Sequence, residues 1–380
     1  MRRIHVVHVL NGLNTGGTER GVRKLVAGLD AGLFEQTICA LRPADGGEPA
    51  GARLVSLGQT GRGIVVHRLA RLFTQLRPDI VHSRNWGTIE AIPAARMARV
   101  PAVVHSEHGR DLQTMGAQPW RRRIFRRLCY RWADRVFCVS QELRDFYAGQ
   151  LKISPSRFGL IANGVDTRHF RPDPGVRAEM RAKIGAAAQT LVVGTVSRLD
   201  PVKDHGTLFQ AARLVLQKGT DLQLLIVGDG TEKGRLEAEV AAYPELRRRS
   251  LFTGEVCDVE SWLQALDVFA LPSISEGMSN TLLEAMSSGV VPVATWVGGN
   301  PEVIEGWRSG LLFSPGDAVA LSEHLAHLAS DVAWRRQLGV QARERVIARF
   351  EIGRMLHSYT QLYCELAGHQ MLAHPVFSQA

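Results

Sequence analysis

Short apolar runs recur along the chain, each separated from the next by a longer stretch in which apolar positions fall at helical spacing. The runs that predict strands are Ile4–Leu10, Thr37–Leu41, Ile80–Val81, Ala102–His105 and Val136–Val139, then Leu191–Ser197, Gln223–Val227, Leu251–Thr253, Val268–Leu271 and Val291–Ala294. A strand apolar on both faces and followed by a helix belongs in a parallel sheet covered on both sides. The pattern occurs twice. Between the two series lie Asn163-Gly-Val-Asp166 and Phe170-Arg-Pro-Asp-Pro174, turn and proline-rich residues suited to a linker. The expected architecture is α/β, with two doubly wound, Rossmann-like domains facing each other across a cleft. A length of 380 residues fits that count. In such sheets ligands bind beyond the carboxyl ends of the strands, so the loops there are the places to search for chemistry.

The most informative of these loops follows Val268–Leu271. Pro272 ends the strand, a short loop carries Glu276 and Gly277, and Ser279 is placed to cap a helix that runs to Gly289. A helix N-terminus offers N–H groups and partial positive charge to a phosphate. Glu276, just outside that terminus, and Glu284, within the helix, are misplaced for holding phosphate alone. Carboxylates accept hydrogen bonds from paired sugar hydroxyls, so the combination suggests a nucleotide sugar. The loop Gly194-Thr-Val-Ser-Arg198-Leu-Asp-Pro-Val-Lys203 places two cations at another strand end, where they can clamp a diphosphate. Val227-Gly-Asp-Gly230 predicts a further turn at a strand end. The glycines of Asn11-Gly-Leu-Asn-Thr-Gly16-Gly17 allow close backbone approach to a ligand, although the dinucleotide fingerprint G-x-G-x-x-G is absent. His108, before Gly109, can reach a ligand from the end of the strand at Val103–His105.

Charge narrows the partners without choosing one. The formal net charge is +9, which favours a nucleotide, an anionic membrane surface or nucleic acid. Nucleic acid is disfavoured, because neither a helix-turn-helix nor an aromatic-basic platform is present. In the segment Trp120–Trp132, Trp120, Ile124, Leu128 and Trp132 recur every fourth residue, with Arg121, Arg122, Arg126 and Arg127 elsewhere on the helix. Two readings stand: a helix lying on an anionic membrane, or one packed on its own sheet with a solvated basic face. Five cysteines (Cys39, Cys129, Cys138, Cys257, Cys364) show no C-x-x-C spacing, which points to reduced, structural thiols and no zinc site. The N-terminal apolar run, interrupted by His5 and His8, reads as a buried strand, not a leader. No window approaches the roughly 20 apolar residues of a membrane span. A cytoplasmic protein, at most touching the inner face of the membrane, is expected.

In combination these pieces resemble one family, the retaining glycosyltransferases of GT-B fold in family 4 (glycosyl transferases group 1). The resemblance rests on the Gly16-Gly17 loop, Asn163-Gly-Val-Asp166, Gly194 to Arg198 with Lys203, Val227-Gly-Asp-Gly230, Glu276-Gly-Met-Ser-Asn-Thr-Leu-Leu-Glu284 and Val297-Gly-Gly-Asn-Pro-Glu302. It departs in two places: Val196-Ser-Arg-Leu stands where Gly-Arg-Leu is commoner, and Asp204 follows Lys203 in place of glycine. The resemblance implies an N-terminal acceptor-side domain over 1–170, joined by a C-terminal helix from 355–380, and a nucleotide-sugar domain over 171–354. It implies that Arg198 and Lys203 bind the donor diphosphate. Glu276 would hold the transferred sugar and Glu284 the ribose. The backbone of Gly277, Met278 and Ser279 would bind phosphate and sugar, Gly16 and Gly17 would approach the diphosphate from the opposite domain, and His108 would lie near the donor sugar. Val256, in Gly254-Glu-Val-Cys-Asp258, occupies the place of the base, with a UDP-sugar favoured over a GDP-sugar. No cofactor or metal is implied, and no Asp-x-Asp pair exists to hold one. The acceptor expected is a glycan or a lipid-linked intermediate of bacterial exopolysaccharide or another surface glycan. A nucleotide-sugar epimerase, the same-fold alternative, lacks a clear acid/base set here. An inactive scaffold has no reason to keep Arg198, Lys203, Glu276 and Glu284.

Overall fold

A computed structural model of the chain describes residues 2–13, 16–43, 49–58, 65–110 and 119–369. It divides into two compact units, one of residues 1–162 with 353–380 and one of residues 163–352. The sequence-derived boundaries lie at 170/171 and 354/355.

The first unit is a seven-stranded sheet built from β1 (Ile4–Leu10), β2 (Phe34–Ala40), β3 (Arg53–Ser56), β4 (Ile80–Arg84), β5 (Ala102–Glu107), β6 (Arg135–Cys138) and β7 (Phe158–Leu160) in the order β3-β2-β1-β4-β5-β6-β7. Every neighbouring pair is parallel, with Ile4 opposite Phe34 and Leu10 opposite Ala40 in the β1–β2 ladder. The second unit has β8 (Leu191–Val196), β9 (Leu222–Val227), β10 (Ser250–Gly254), β11 (Val268–Leu271), β12 (Val291–Thr295) and β13 (Leu311–Phe313) in the order β10-β9-β8-β11-β12-β13, again all parallel. β8 and β11 are buried at every residue, as two-faced coverage requires. Leu208, Phe209, Leu321 and Leu325 from the flanking helices pack with Val193, Ile226 and Val268 of the sheet.

Three of these strands were not expected: β3, β7 and β13. β3 and β7 are the two edges of the first sheet and β13 an edge of the second, where half-exposed or short strands lose the continuous apolar run that marks a central one. The stretch expected to be a linker is packed: Val165 N–H donates to the Phe350 carbonyl at 2.9 Å and Ile352 N–H donates to Val165 at 3.0 Å. Phe170 is buried and Asp173 caps the helix Pro174–Lys183.

The helix Ile352–Leu366 returns to the first unit. Its Tyr359 ring sits 5.6 Å from Phe137 and its Tyr363 ring 6.0 Å from Phe34. Leu356 packs so tightly on Gly28 that a Cβ there would come within 2.6 Å of it.

The helix Trp120–Trp132 forms as expected, but its orientation is a correction to the sequence reading of an inert basic face. Arg126 is fully buried, whereas the apolar residues Trp120, Ile124, Leu128 and Trp132 are exposed. Arg126 points inward because a partner awaits it. Its Nε lies 3.5 Å from the buried carboxylate of Glu107, and its guanidinium stacks over Trp86 and Tyr147 at 5.1 and 4.6 Å. Arg122 stacks over Trp86 at 4.0 Å. Tyr130 donates to Glu107 as well. Burial pushes the Glu107 carboxyl up, but Arg126, His105 and Tyr130 together outweigh it and hold the pKa at about 2.

Candidate active site

In the second unit the strand order reverses between β8 and β11, the kind of switch point where a crevice opens in such sheets. The loops leaving these two strands carry the principal charges. Arg198 is held by the backbone on either side: Ser197 N–H donates to Val227 at 3.1 Å and Leu199 N–H to Asp229 at 2.8 Å. Glycine is required for this fit. Gly228 has φ +135°, and a Cβ on it would stand 2.0 Å from the Ser197 carbonyl oxygen. The Arg198 side chain is exposed and pairs with Asp200 at 2.9 Å. Lys203 is mostly buried and donates from Nζ to Glu276 Oε1 at 2.5 Å. Ser273 Oγ donates to that same oxygen at 2.7 Å. Both donors fall on Oε1, so the carboxylate is oriented. Among the described residues no side chain bonds Oε2, which leaves it for a further donor such as a sugar hydroxyl.

The loop of Glu276 is clamped from the next one. Gly299 N–H donates to the Gly277 carbonyl at 2.7 Å, and Asn163 Nδ2 donates to Met278 at 2.9 Å. Thr295 Oγ1 donates to the Ser273 carbonyl at 2.6 Å. Ser279 caps the helix Asn280–Ser287 by accepting from Leu282 N–H at 3.2 Å. Met278 and Ser279 are buried, and so is Glu284, where an ordinary helix-surface glutamate would be exposed. Val256 lies part-exposed in the loop after β10, and Val297–Gly299 follows β12. The loops bearing Arg198, Lys203, Val256, Glu276 and Gly299 thus all leave the carboxyl ends of one parallel sheet. A buried histidine supports the Arg198 loop: His205 bonds Ser197 Oγ at 3.0 Å, and burial, aided by Lys203, lowers its pKa to about 4.

In the first unit the order reverses between β1 and β4. Gly16 is the N-cap residue of the helix Gly17–Gly28 and follows β1. Asn85 follows β4, a position singled out by no sequence motif. It adopts φ +55° with ψ −178°, outside the left-handed helical region that asparagine tolerates, and it links the neighbouring loops. Its Nδ2 donates to Thr18 Oγ1 at 3.3 Å, beside Gly16 and Gly17, and its Oδ1 accepts the His108 N–H at 2.7 Å. His108 Nε2 bonds Ser106 Oγ at 2.8 Å. Burial, then Arg84, lowers the His108 pKa to about 3, so the ring is neutral near pH 7. Behind it the strand ends are unusually polar: His8, His82, Arg84, His105, Ser106 and Glu107 are all buried. Arg84 was also missed from sequence, because a cation inside a strand gives no periodic signal. Its Nη2 donates to His8 Nδ1 and to His82 Nδ1, both at 3.1 Å. Among the described residues no group of three or more His, Cys, Asp or Glu side chains is arranged to hold a metal ion.

Comparison with known proteins bears on the family and the fold. Residues 190–331 match the family described as Glycosyl transferases group 1, and residues 15–169 match Glycosyltransferase Family 4. A Bacillus subtilis chain named as glycosyltransferase EpsF is 31% identical over 299 residues, covering 75% of this chain and 77% of that one. The UDP-Gal:alpha-D-GlcNAc-diphosphoundecaprenol alpha-1,3-galactosyltransferase of Escherichia coli is 27% identical over 330 residues, 84% of this chain and 83% of the relative. The fold superposes on HepE of Anabaena, solved in complex with UDP-glucose, with a TM-score of 0.81 at 20% identity, covering 96% of this chain and all of that one. The chain therefore belongs to glycosyltransferase family 4, with the two parallel-sheet domains of the GT-B fold.

Proposed function

We propose that the protein is a retaining, metal-independent hexosyltransferase that moves a sugar from a UDP-sugar to a lipid-linked intermediate of a bacterial exopolysaccharide or other surface glycan. The observation that carries this reading is the contact of Lys203 with Glu276 at the switch point of the second sheet. It sets a cation for a diphosphate beside a carboxylate for a sugar. The acceptor hydroxyl oxygen bonds to C1 of the sugar as the C1–O bond to the diphosphate breaks, negative charge collects on the leaving oxygen, and the hydroxyl proton passes to that oxygen. Arg198 and Lys203 stabilise that charge, with the backbone of Gly277, Met278 and Ser279 before the helix Asn280–Ser287. Glu276 accepts hydroxyls of the transferred sugar, Glu284 those of the ribose, and His108 donates to the sugar. Gly16 and Gly17 allow backbone approach to the diphosphate, and Val256 lies by the base. Retention follows if the acceptor enters on the face the diphosphate leaves.

UDP is favoured because UDP-glucose is the ligand in the HepE structure and UDP-Gal the donor in the Escherichia coli relative's name. That name, which includes a diphosphoundecaprenol acceptor, supports the lipid-linked part of the reading. Such an acceptor would be met at the inner face of the cytoplasmic membrane by a cytoplasmic enzyme that touches the surface through residues 120–132. Among the described residues no helix is long and apolar enough to cross a membrane. A thermal-shift panel of UDP- and GDP-sugars, with and without chelator, tests the donor assignment, since a ligand that binds the folded state raises apparent stability by mass action. One UDP-sugar should stabilise wild type equally in chelator, and Lys203→Ala should abolish the shift. Stabilisation only by GDP-sugars, or only with added metal, would overturn those parts.

A further inference from the structure

The exposed face of the helix Trp120–Trp132 has a composition that its fold does not explain. Trp120, Ile124, Leu128 and Trp132 are 64, 51, 41 and 45% exposed and form one stripe. Arg121, Arg123, Arg127 and Arg131 are exposed around it, and the helix has no acidic residue. Beside its C-terminal half lies a hollow of about 540 Å³ lined by Arg127, Arg131, Lys152, Ser154, Ser156 and Arg157. Arg157 is consumed by the wall, donating to the carbonyls of Tyr130 at 3.1 Å and Ala133 at 2.6 Å. Among the described residues no carboxylate pairs with Arg127, Arg131 or Lys152. The Ser154 and Ser156 hydroxyls lie 2.8 Å apart. An apolar stripe ended by tryptophans suits the boundary between acyl chains and headgroups, and an adjacent cluster of cations and hydroxyls suits a phosphate.

We propose that this face docks on a membrane containing anionic phospholipid, the stripe entering the acyl boundary and the hollow receiving a lipid phosphate. The proposal deepens the membrane reading above and rests on it. Lys152 belongs to the hollow but not to the helix, which separates headgroup binding from general attraction. Full-length protein is sedimented with vesicles of phosphatidylcholine alone or mixed with phosphatidylglycerol. Wild type should pellet with the mixed vesicles only, and Trp120→Ser with Ile124→Ser should abolish pelleting. Arg123→Ser should weaken binding about fivefold, as for any surface cation, and Lys152→Ser more than about tenfold because a charge-assisted contact goes too. Equal pelleting with both vesicles, or equal losses for Lys152→Ser and Arg123→Ser, would overturn the proposal. UDP-sugar thermal shifts on the same variants report donor binding separately, and a partner protein binding the stripe would leave vesicle binding absent in wild type.

A second inference rests on the polar strand ends. A guanidinium only donates hydrogen bonds, so His82 Nδ1, 3.1 Å from Arg84 Nη2, is an acceptor. The neutral His82 ring therefore carries its proton on Nε2 and donates to Ser106 Oγ at 2.9 Å. Ser106 is fully buried, and its remaining described partner is His108 Nε2, 2.8 Å away. Were His108 also to donate, the serine proton would be buried without an acceptor, which is unfavourable. We infer that Arg84, through His82 and Ser106, fixes His108 as the Nδ1–H tautomer and so makes Nδ1 its hydrogen-bond donor. These are positioning residues, and the inference bears on the proposed donation from His108 to the sugar. Long-range ¹⁵N–¹H correlation spectra of histidine-labelled enzyme, with His108 assigned by His108→Gln, read the tautomer without any transfer reaction. The Nδ1–H form is expected in wild type, shifting toward Nε2–H in Ser106→Ala. An Nε2–H ring in wild type, or an unchanged tautomer in Ser106→Ala, would overturn it.

Discussion

Lys203 and Glu276 are the residues on which the donor site turns, and their contact couples roles that the sequence assigns separately. Lys203 faces a diphosphate in the proposed reaction, yet in the structure it donates to Glu276 Oε1. Removing either one disorients the other, so their effects should not add. Lys203→Ala and Glu276→Gln are each expected to lower kcat/KM by about two to three orders of magnitude, on the scale of lost transition-state hydrogen bonds. The double variant should fall well short of the product of the single losses. Steady-state kinetics on all four proteins closes the cycle, and strictly multiplicative losses would show that the contact is incidental to turnover. Glu284 is a different case. It is buried on the helix, and a ribose contact similar in ground and transition states would make Glu284→Gln raise the donor KM with kcat nearly unchanged.

At the scale of elements, the sequence is legible where one physical cause dominates. β8 and β11 are covered on both faces, and a continuous apolar run announces them. The cap at Ser279 is local chemistry and reads directly. The orientation of the helix Trp120–Trp132 is not legible, because the partner that draws Arg126 inward, Glu107, stands on another element. Counting apolar residues buries the wrong stripe. Asn85 and Arg84 escape for the same reason: their meaning lies in Thr18, His108, His8 and His82, which only the folded sheet brings to them. The loop Val297–Gly299, recognised by resemblance alone, acquires a physical role as a brace for Glu276. Gly298 has φ +53°, and a Cβ on it would stand 2.0 Å from the Glu276 carbonyl oxygen. Gly298→Ala should therefore cost at least the roughly 1–2 kcal/mol of a left-handed alanine and displace the carboxylate. A lowered melting temperature with a large loss of kcat is expected. Wild-type kcat in this variant would show that the brace does not position Glu276.

For the whole molecule, four histidines that the fold holds neutral set how stability responds to acid, and they are unevenly divided. Burial, then Arg84, holds His8 well below its ordinary pKa where Arg84 adjoins it, and the same two causes act on His82. His108 is lowered to about 3 and, in the second unit, His205 to about 4. The sign follows from which state takes the proton. Below about 6.5 the unfolded chain protonates these rings and the folded chain does not, so acidification favours unfolding. Each ring contributes a slope of about 1.4 kcal/mol per pH unit between its folded and unfolded values. Glu107 acts in the same direction lower down, because its contribution is present above the ordinary carboxylate range and is lost as pH falls toward its folded value of about 2. Three of the four histidines and Glu107 belong to the first unit. Scanning calorimetry between pH 7.5 and 5 should thus show the first unit's transition moving down more steeply than the second's. His82→Gln provides the control, because a glutamine takes no proton and the first unit's slope should fall by about one proton. A pH-independent melting temperature across that range, or parallel shifts of both transitions, would mean that the histidines are charged, or water-accessible, in the folded state.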